Sequence, residues 1–71
     1  MTYEDFITEL WKKVEMSPSC WRKGQAVFNV IDDTWGVARD VQFIDRVDCF
    51  YDDTKIDLFI DKAWCRIHEK F

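Results

Sequence analysis

The 71-residue sequence contains two glycines, one proline and one histidine. So few chain breakers exclude a turn-rich β-protein and point to long regular elements. Basic charge is not in excess, since 14 acidic side chains stand against 10 basic ones and leave a net charge of −4. A nucleic-acid binder relying on a global basic field is thereby excluded, as is a surface helix seeking anionic lipid. No apolar run approaches the roughly 20 residues of a membrane span. A Gly-rich phosphate loop is missing, and no nucleophile stands in a recognisable catalytic setting. His68, near the end of the chain, has no obvious acid–base companion. These absences give the expectation of a protein that is not an enzyme, needs no cofactor, and contacts neither nucleic acid nor membrane directly.

Paired-cysteine motifs are also lacking. The three cysteines are Cys20, Cys49 and Cys65. The opening residues, Met1 to Glu9, are polar and acidic rather than a secretion signal, so the odd count reads as reduced thiols in a cytoplasm. Cys65 and His68 have a ligand-compatible i,i+3 spacing, and Cys20 and Cys49 would complete a Cys3His zinc site. The competing reading is small apolar thiols in the core beside a solvated histidine, and no metal is expected.

What the sequence has is apolar and aromatic mass: 48% of residues are hydrophobic and 17% aromatic, with four tryptophans. A domain of this length buries only about 60% of its unfolded surface, so its core has to be rich. Helical periodicity dominates. Thr2 and Asp5 have capping-box spacing ahead of Tyr3, Phe6, Ile7, Leu10, Trp11 and Val14, which predicts a helix over Thr2–Met16. Glu9 and Lys13 make a favourable i,i+4 pair on it. Ser17-Pro18 is expected to end that helix and cap the next, from about Ser19 to Trp35. On this second helix Trp21, Gly24, Val27, Phe28, Ile31 and Trp35 share one side, and Gly36 stops it. Val37, Ala38, Val41 and Ile44 suit a short third helix, although Val41-Gln42-Phe43 also alternates as a strand would. Asp45 to Thr54 reads as a loop anchored by Cys49-Phe50-Tyr51. The last helix, Lys55 to Phe71, has a second capping-box spacing at Thr54 and Asp57. Its buried stripe is Ile56, Phe59, Ile60, Ala63, Trp64, Ile67 and Phe71. Leu58 and Cys65 fall off that stripe, and an exposed patch around them would suit a homodimer. The fold class is therefore all-α: one small bundle of three to four short helices occupying the whole chain.

Two surfaces stand out as candidate sites. From Asp40 to Asp61 there are seven acids against two bases. Of these, Asp48, Asp52, Asp53, Asp57 and Asp61 form a candidate acidic face for a partner's basic groove. The competing reading is helix-start capping and solubility. Arg22 and Lys23, with Gln25 and Asn29, form a polar helical face suited to an anion or a nucleotide.

The stretches Arg22-Lys23-Gly24-Gln25-Ala26-Val27-Phe28-Asn29 and Asp48-Cys49-Phe50-Tyr51-Asp52-Asp53 together resemble a family of small, uncharacterised proteins of phages, prophages and bacterial genomes. Its members look like R-x-G-Q-x-x-F-N on a helix, followed by a D-P-F-Y-type loop and a final amphipathic helix. Cys49 here takes the usual place of proline. The resemblance covers roughly Trp21 to Trp64 and carries no activity. It implies a mobile-element setting in a bacterial host cytoplasm, where small acidic proteins often inhibit host defences, CRISPR systems included. Within the motif, Gly24 would let a neighbouring helix approach. Gln25 and Asn29 would hydrogen-bond the Asp48–Asp53 loop, while Phe50 and Tyr51 pin it over the helix. The expected function is a binding protein that inhibits a bacterial protein, one that itself binds nucleic acid if the acidic face imitates DNA. The alternatives are a sponge for a signalling nucleotide and a zinc-stabilised structural protein.

Overall fold

A computed structural model describes residues 1–70, the side chain of Lys70 excepted; Phe71, expected on the last buried stripe, lies outside the described residues. Its α-helices are α1 (Tyr3–Glu15), α2 (Lys23–Trp35), α3 (Ala38–Phe43) and α4 (Ile56–Lys70), with a 3-10 turn at Asp53–Lys55 leading into α4. The described residues contain no strand, so Val41-Gln42-Phe43 takes its helical option. The fold is the small all-α bundle that the periodicity predicts.

α1 forms as its sequence requires. The Thr2 hydroxyl accepts from the Asp5 amide and the Asp5 carboxylate accepts from the Thr2 amide, completing the capping box. Lys13 and Glu9 pair at 3.5 Å on its outer face. Phe6 and Leu10 turn inward and are fully buried.

α2 begins later than its sequence suggests. Ser17 does not cap it: the Ser17 hydroxyl donates to the Lys13 carbonyl at 3.1 Å and so helps close α1. The Trp21 amide returns to the Pro18 carbonyl, making a turn of the segment expected to be helical, and the helix starts at Lys23. Once formed, α2 is the central element. Gly24, Ala26, Val27, Phe28, Val30 and Ile31 are all buried, a wider arc than one stripe, because α1, α3 and α4 all pack on it. Gly36 ends it in the left-handed conformation, φ 71°.

α3 is too short to bury everything apolar it carries. Ala38 and Val41 face the core, but Ile44, expected inside, is exposed along with Phe43. The chain reverses just beyond, where Arg46 adopts a left-handed φ of 60° and the Val47 amide bonds the Val41 carbonyl. Val47 thus drops into the core in place of Ile44.

α4 buries the stripe expected of it: Ile56, Phe59, Ile60, Ala63 and Ile67, with Trp64 half-buried. Its start differs from the expected capping box. The Asp52 carboxylate, rather than the Thr54 hydroxyl, is the acceptor, taking both the Thr54 amide and hydroxyl. Phe6 sits between the bundle's large rings, with centroids 4.8 Å from Trp35 and 5.4 Å from Trp64. Truncating a phenylalanine so enclosed costs about 3–5 kcal/mol.

Candidate functional site

The motif residues assemble into a clamp between the first turn of α2 and the loop before α4. A helix start leaves backbone N–H groups without partners. Arg22, at the N-cap of α2, provides no side-chain acceptor, and the first turn has no acidic residue. The Asp53 carboxylate supplies the acceptor, taking the Gly24 amide at 3.0 Å. One turn away the Cys49 thiol donates to the Gly24 carbonyl at 3.3 Å. Gly24 makes this closeness possible: a Cβ there would overlap the Cys49 carbonyl oxygen and lie 2.6 Å from Asp53 Oδ1. The glycine thus admits a loop, not the neighbouring helix expected.

Arg22 completes the clamp by donating from its guanidinium to the carbonyls of Phe50 and Tyr51. On the far side of the loop, Asp48 accepts from the Gln42 side chain at 2.9 Å and from the Phe50 amide at 2.8 Å. Gln25 and Asn29, expected to hold the loop, make no hydrogen bond to it among the described residues; Arg22 and Gln42 take that role. The planar fork of arginine presents several donors at once and so reaches both carbonyls.

Held this way, the loop carries two aromatic rings in edge contact, centroids 4.7 Å apart, of which one packs inward and the other is exposed. Phe50 packs inward on Phe28, with centroids 5.5 Å apart. Tyr51 does not pin the loop to the core: it is 74% exposed, as Phe43 is 68% and Ile44 65% exposed, in a chain whose other large apolar side chains mostly pack inward. Phe43 and Tyr51 line a shallow depression of about 220 Å³ with Phe28, Phe50, Arg39 and Gln42. The sequence reading missed Phe43 and Ile44 as surface residues. The available signal was that six residues of helix cannot bury two adjacent apolar side chains on one face.

The five acidic candidates separate into two groups. Asp48, Asp52 and Asp53 hold the loop through the bonds described above. The Thr54 hydroxyl and amide keep the Asp52 carboxyl below its ordinary range. Asp57 and Asp61 instead stand exposed on α4, beside a groove walled by Tyr3, Ile7 and Trp11 of α1 and by Ile60. Arg22 and Lys23 do not converge on a common anion, because Lys23 lies over the Trp11 ring, 5.0 Å from its centroid, while Arg22 holds the loop.

Nor do the proposed zinc ligands converge. Cys20 and Cys65 are exposed and Cys49 is buried, and among the described residues no group of three or more His, Cys, Asp or Glu side chains is placed to hold a metal. Burial, reinforced by Asp48 and Asp53, pushes the Cys49 thiol up to about 12, so it stays a neutral hydrogen-bond donor. Leu58 and Cys65 are exposed on α4, off its buried stripe. No helix among the described residues is long and apolar enough to cross a membrane. Comparisons with protein-family models, curated proteins and solved structures give no match to this chain.

Proposed function

We propose that this chain is a non-enzymatic protein-binding module of phage or prophage type that inhibits a bacterial protein, possession of an exposed aromatic face being its main device. The observation that carries this reading is the outward placement of Phe43, Ile44 and Tyr51 on and beside a loop that is otherwise firmly clamped. Exposed apolar side chains oppose solubility, and aromatic residues in a rigid setting are the usual anchors of protein interfaces. The clamp lowers the ordering cost of binding, because Tyr51 is already positioned before a partner arrives. Two further features support the reading. Catalysis calls for titratable groups converging in a sheltered pocket, whereas His68 is exposed and no polar or charged side chain is buried among the described residues. The nucleotide-sponge alternative needs Arg22 and Lys23 to be available, and both are engaged within the chain. The resemblance in the Arg22–Asn29 and Asp48–Asp53 stretches supplies the bacterial and mobile-element setting.

Capture from bacterial lysate tests this, comparing the wild-type chain with a Phe43→Ser, Tyr51→Ser double variant and identifying bound proteins by mass spectrometry. The expected result is one stoichiometric bacterial protein whose activity falls on addition of the wild-type chain and which the double variant fails to retain. Capture of no protein, or equal capture by both chains, overturns the reading. Both substitutions lie on the surface, so the variant keeps its fold.

A further inference from the structure

The groove between α1 and α4 is separate from the aromatic face and from the clamp. The rings of Tyr3 and Phe6 meet Trp64 between the two helices, with Tyr3 and Trp64 in edge contact at 5.5 Å. Alongside them opens a groove of about 350 Å³ lined by Tyr3, Ile7, Trp11, Asp57, Ile60 and Asp61. Tyr3, Ile7 and Trp11 recur every four residues, so their wall is straight and runs about 12 Å along α1. Two helices flanking apolar side chains are a geometry that receives a third helix.

The α4 side of the groove carries two carboxylates. Asp57 and Asp61 are both exposed and stand four residues apart on α4, where like charges repel. Among the described residues neither takes part in an ion pair. Asp57, in the first turn of α4, gains from the helix dipole, but Asp61 lies beyond its reach. The aromatic side chains also favour cations. Lys23 already places its ammonium over the Trp11 ring, 5.0 Å from its centroid.

We propose that the α1–α4 groove is a docking site for an amphipathic helix of a protein partner, one that carries two basic side chains one turn apart beside an apolar stripe. Two cations at i,i+4 on such a helix match the spacing of Asp57 and Asp61, and relieve their repulsion, while the stripe covers Ile7, Trp11 and Ile60. This site rests on the protein-binding reading above and gives the chemistry of a second contact, distinct from the Phe43–Tyr51 face.

The probe is a synthetic amidated helical peptide with arginines at i,i+4 flanking a leucine stripe, and a control with glutamates replacing the arginines. Titrated into the isotope-labelled full chain and followed by amide NMR shifts, the arginine peptide is expected to perturb residues of Tyr3–Trp11 and Asp57–Asp61, and the control to do nothing. An Asp57→Asn, Asp61→Asn variant is expected to raise its Kd about three- to tenfold, the scale of two rim ion pairs. The Phe43→Ser, Tyr51→Ser variant is expected to bind the peptide as wild type does. Three results overturn the site: no saturable binding below about 1 mM, shifts confined to the Cys49–Asp53 loop or to Phe43, or equal affinity in the asparagine variant. Peptide docking in the groove together with failed lysate capture upholds the site and overturns the proposed function. Capture that needs Phe43 and Tyr51, with no peptide binding, does the reverse.

Discussion

The Gly24 amide donates to the Asp53 carboxylate at 3.0 Å across 29 residues of sequence, and Asp53 thereby serves as the N-cap that α2 lacks locally. One hydrogen bond thus ties the start of the central helix to the start of the turn that launches α4. The same few residues bring in Arg22, Cys49 and Phe50, so the helix start and the loop are held by one set of bonds.

Removing the carboxylate tests that relationship. Asp53→Ala leaves the Gly24 amide without its acceptor and is expected to cost about 1–2 kcal/mol, the value of a cap together with an unsatisfied donor. Asp53→Asn keeps an acceptor oxygen and is expected to cost less. Urea unfolding of both variants measures this, and an Asp53→Ala protein as stable as wild type would refute the remote cap.

Gly24→Ala separates local propensity from tertiary packing. Alanine favours the helix by about 1 kcal/mol over glycine. Its Cβ, however, would overlap the backbone oxygen of Cys49, which has no rotamer by which to move aside. The expected outcome is a net loss of about 1–3 kcal/mol, the usual cost of overpacking. A stabilised Gly24→Ala variant in thermal melting would show that the loop is not held against α2 in solution.

Acid should weaken the link between α3's exit and α4. Arg66 donates to both Asp45 oxygens, at 2.9 and 3.1 Å, and this hydrogen-bonded pairing holds the Asp45 carboxyl below its ordinary 3.8. A carboxylate with a depressed folded pKa contributes stability that is present above its unfolded value, and loses it as pH falls through the folded value. Asp52, also depressed, acts in the same direction. Stability is therefore expected to be flat near neutrality and to fall below about pH 4. In Asp45→Asn, neutral-pH stability should be lower by about 1 kcal/mol, and the drop on acidification smaller. Denaturant midpoints at several pH values give the comparison; an unchanged acid drop counts against the pair.

The thiols should differ in reactivity. Cys20 and Cys65 are exposed while Cys49 is buried and its thiol is pushed up to about 12. A thiol-specific chromogenic reagent is expected to titrate two groups in the native protein and a third only on unfolding. Rapid reaction of all three would mean that the Cys49–Gly24 contact opens readily.

Arg46 holds a left-handed φ of 60° without being glycine. That conformation costs an ordinary residue roughly 1–2 kcal/mol. Arg46→Gly is expected to raise the midpoint of thermal unfolding slightly, the relief being partly offset by the greater freedom of the unfolded chain. A marked fall in that midpoint would mean that the arginine side chain contributes more than its backbone costs.

Local pattern determined a good deal of this protein by itself. The capping box and stripe of α1, the Gly36 stop, the buried stripe of α4 and the all-α class follow from spacings within a few residues, and those forces act within one or two helical turns. The resemblance marks Gly24, Phe28 and Phe50 as structural residues, whereas Arg22, expected on an anion-binding face, holds the loop instead. What remained hidden depends on partners distant in sequence. The start of α2 waits on Asp53, the loop is held by Arg22 and Gln42 rather than by Gln25 and Asn29, and Asp48, Asp52 and Asp53 serve hydrogen bonds while Asp57 and Asp61 alone face the groove. The exposure of Phe43 and Ile44 belongs with these. An apolar residue signals that it would prefer to be buried, but only the chain reversal at Arg46, which delivers Val47 to the core instead, decides that these two stay outside.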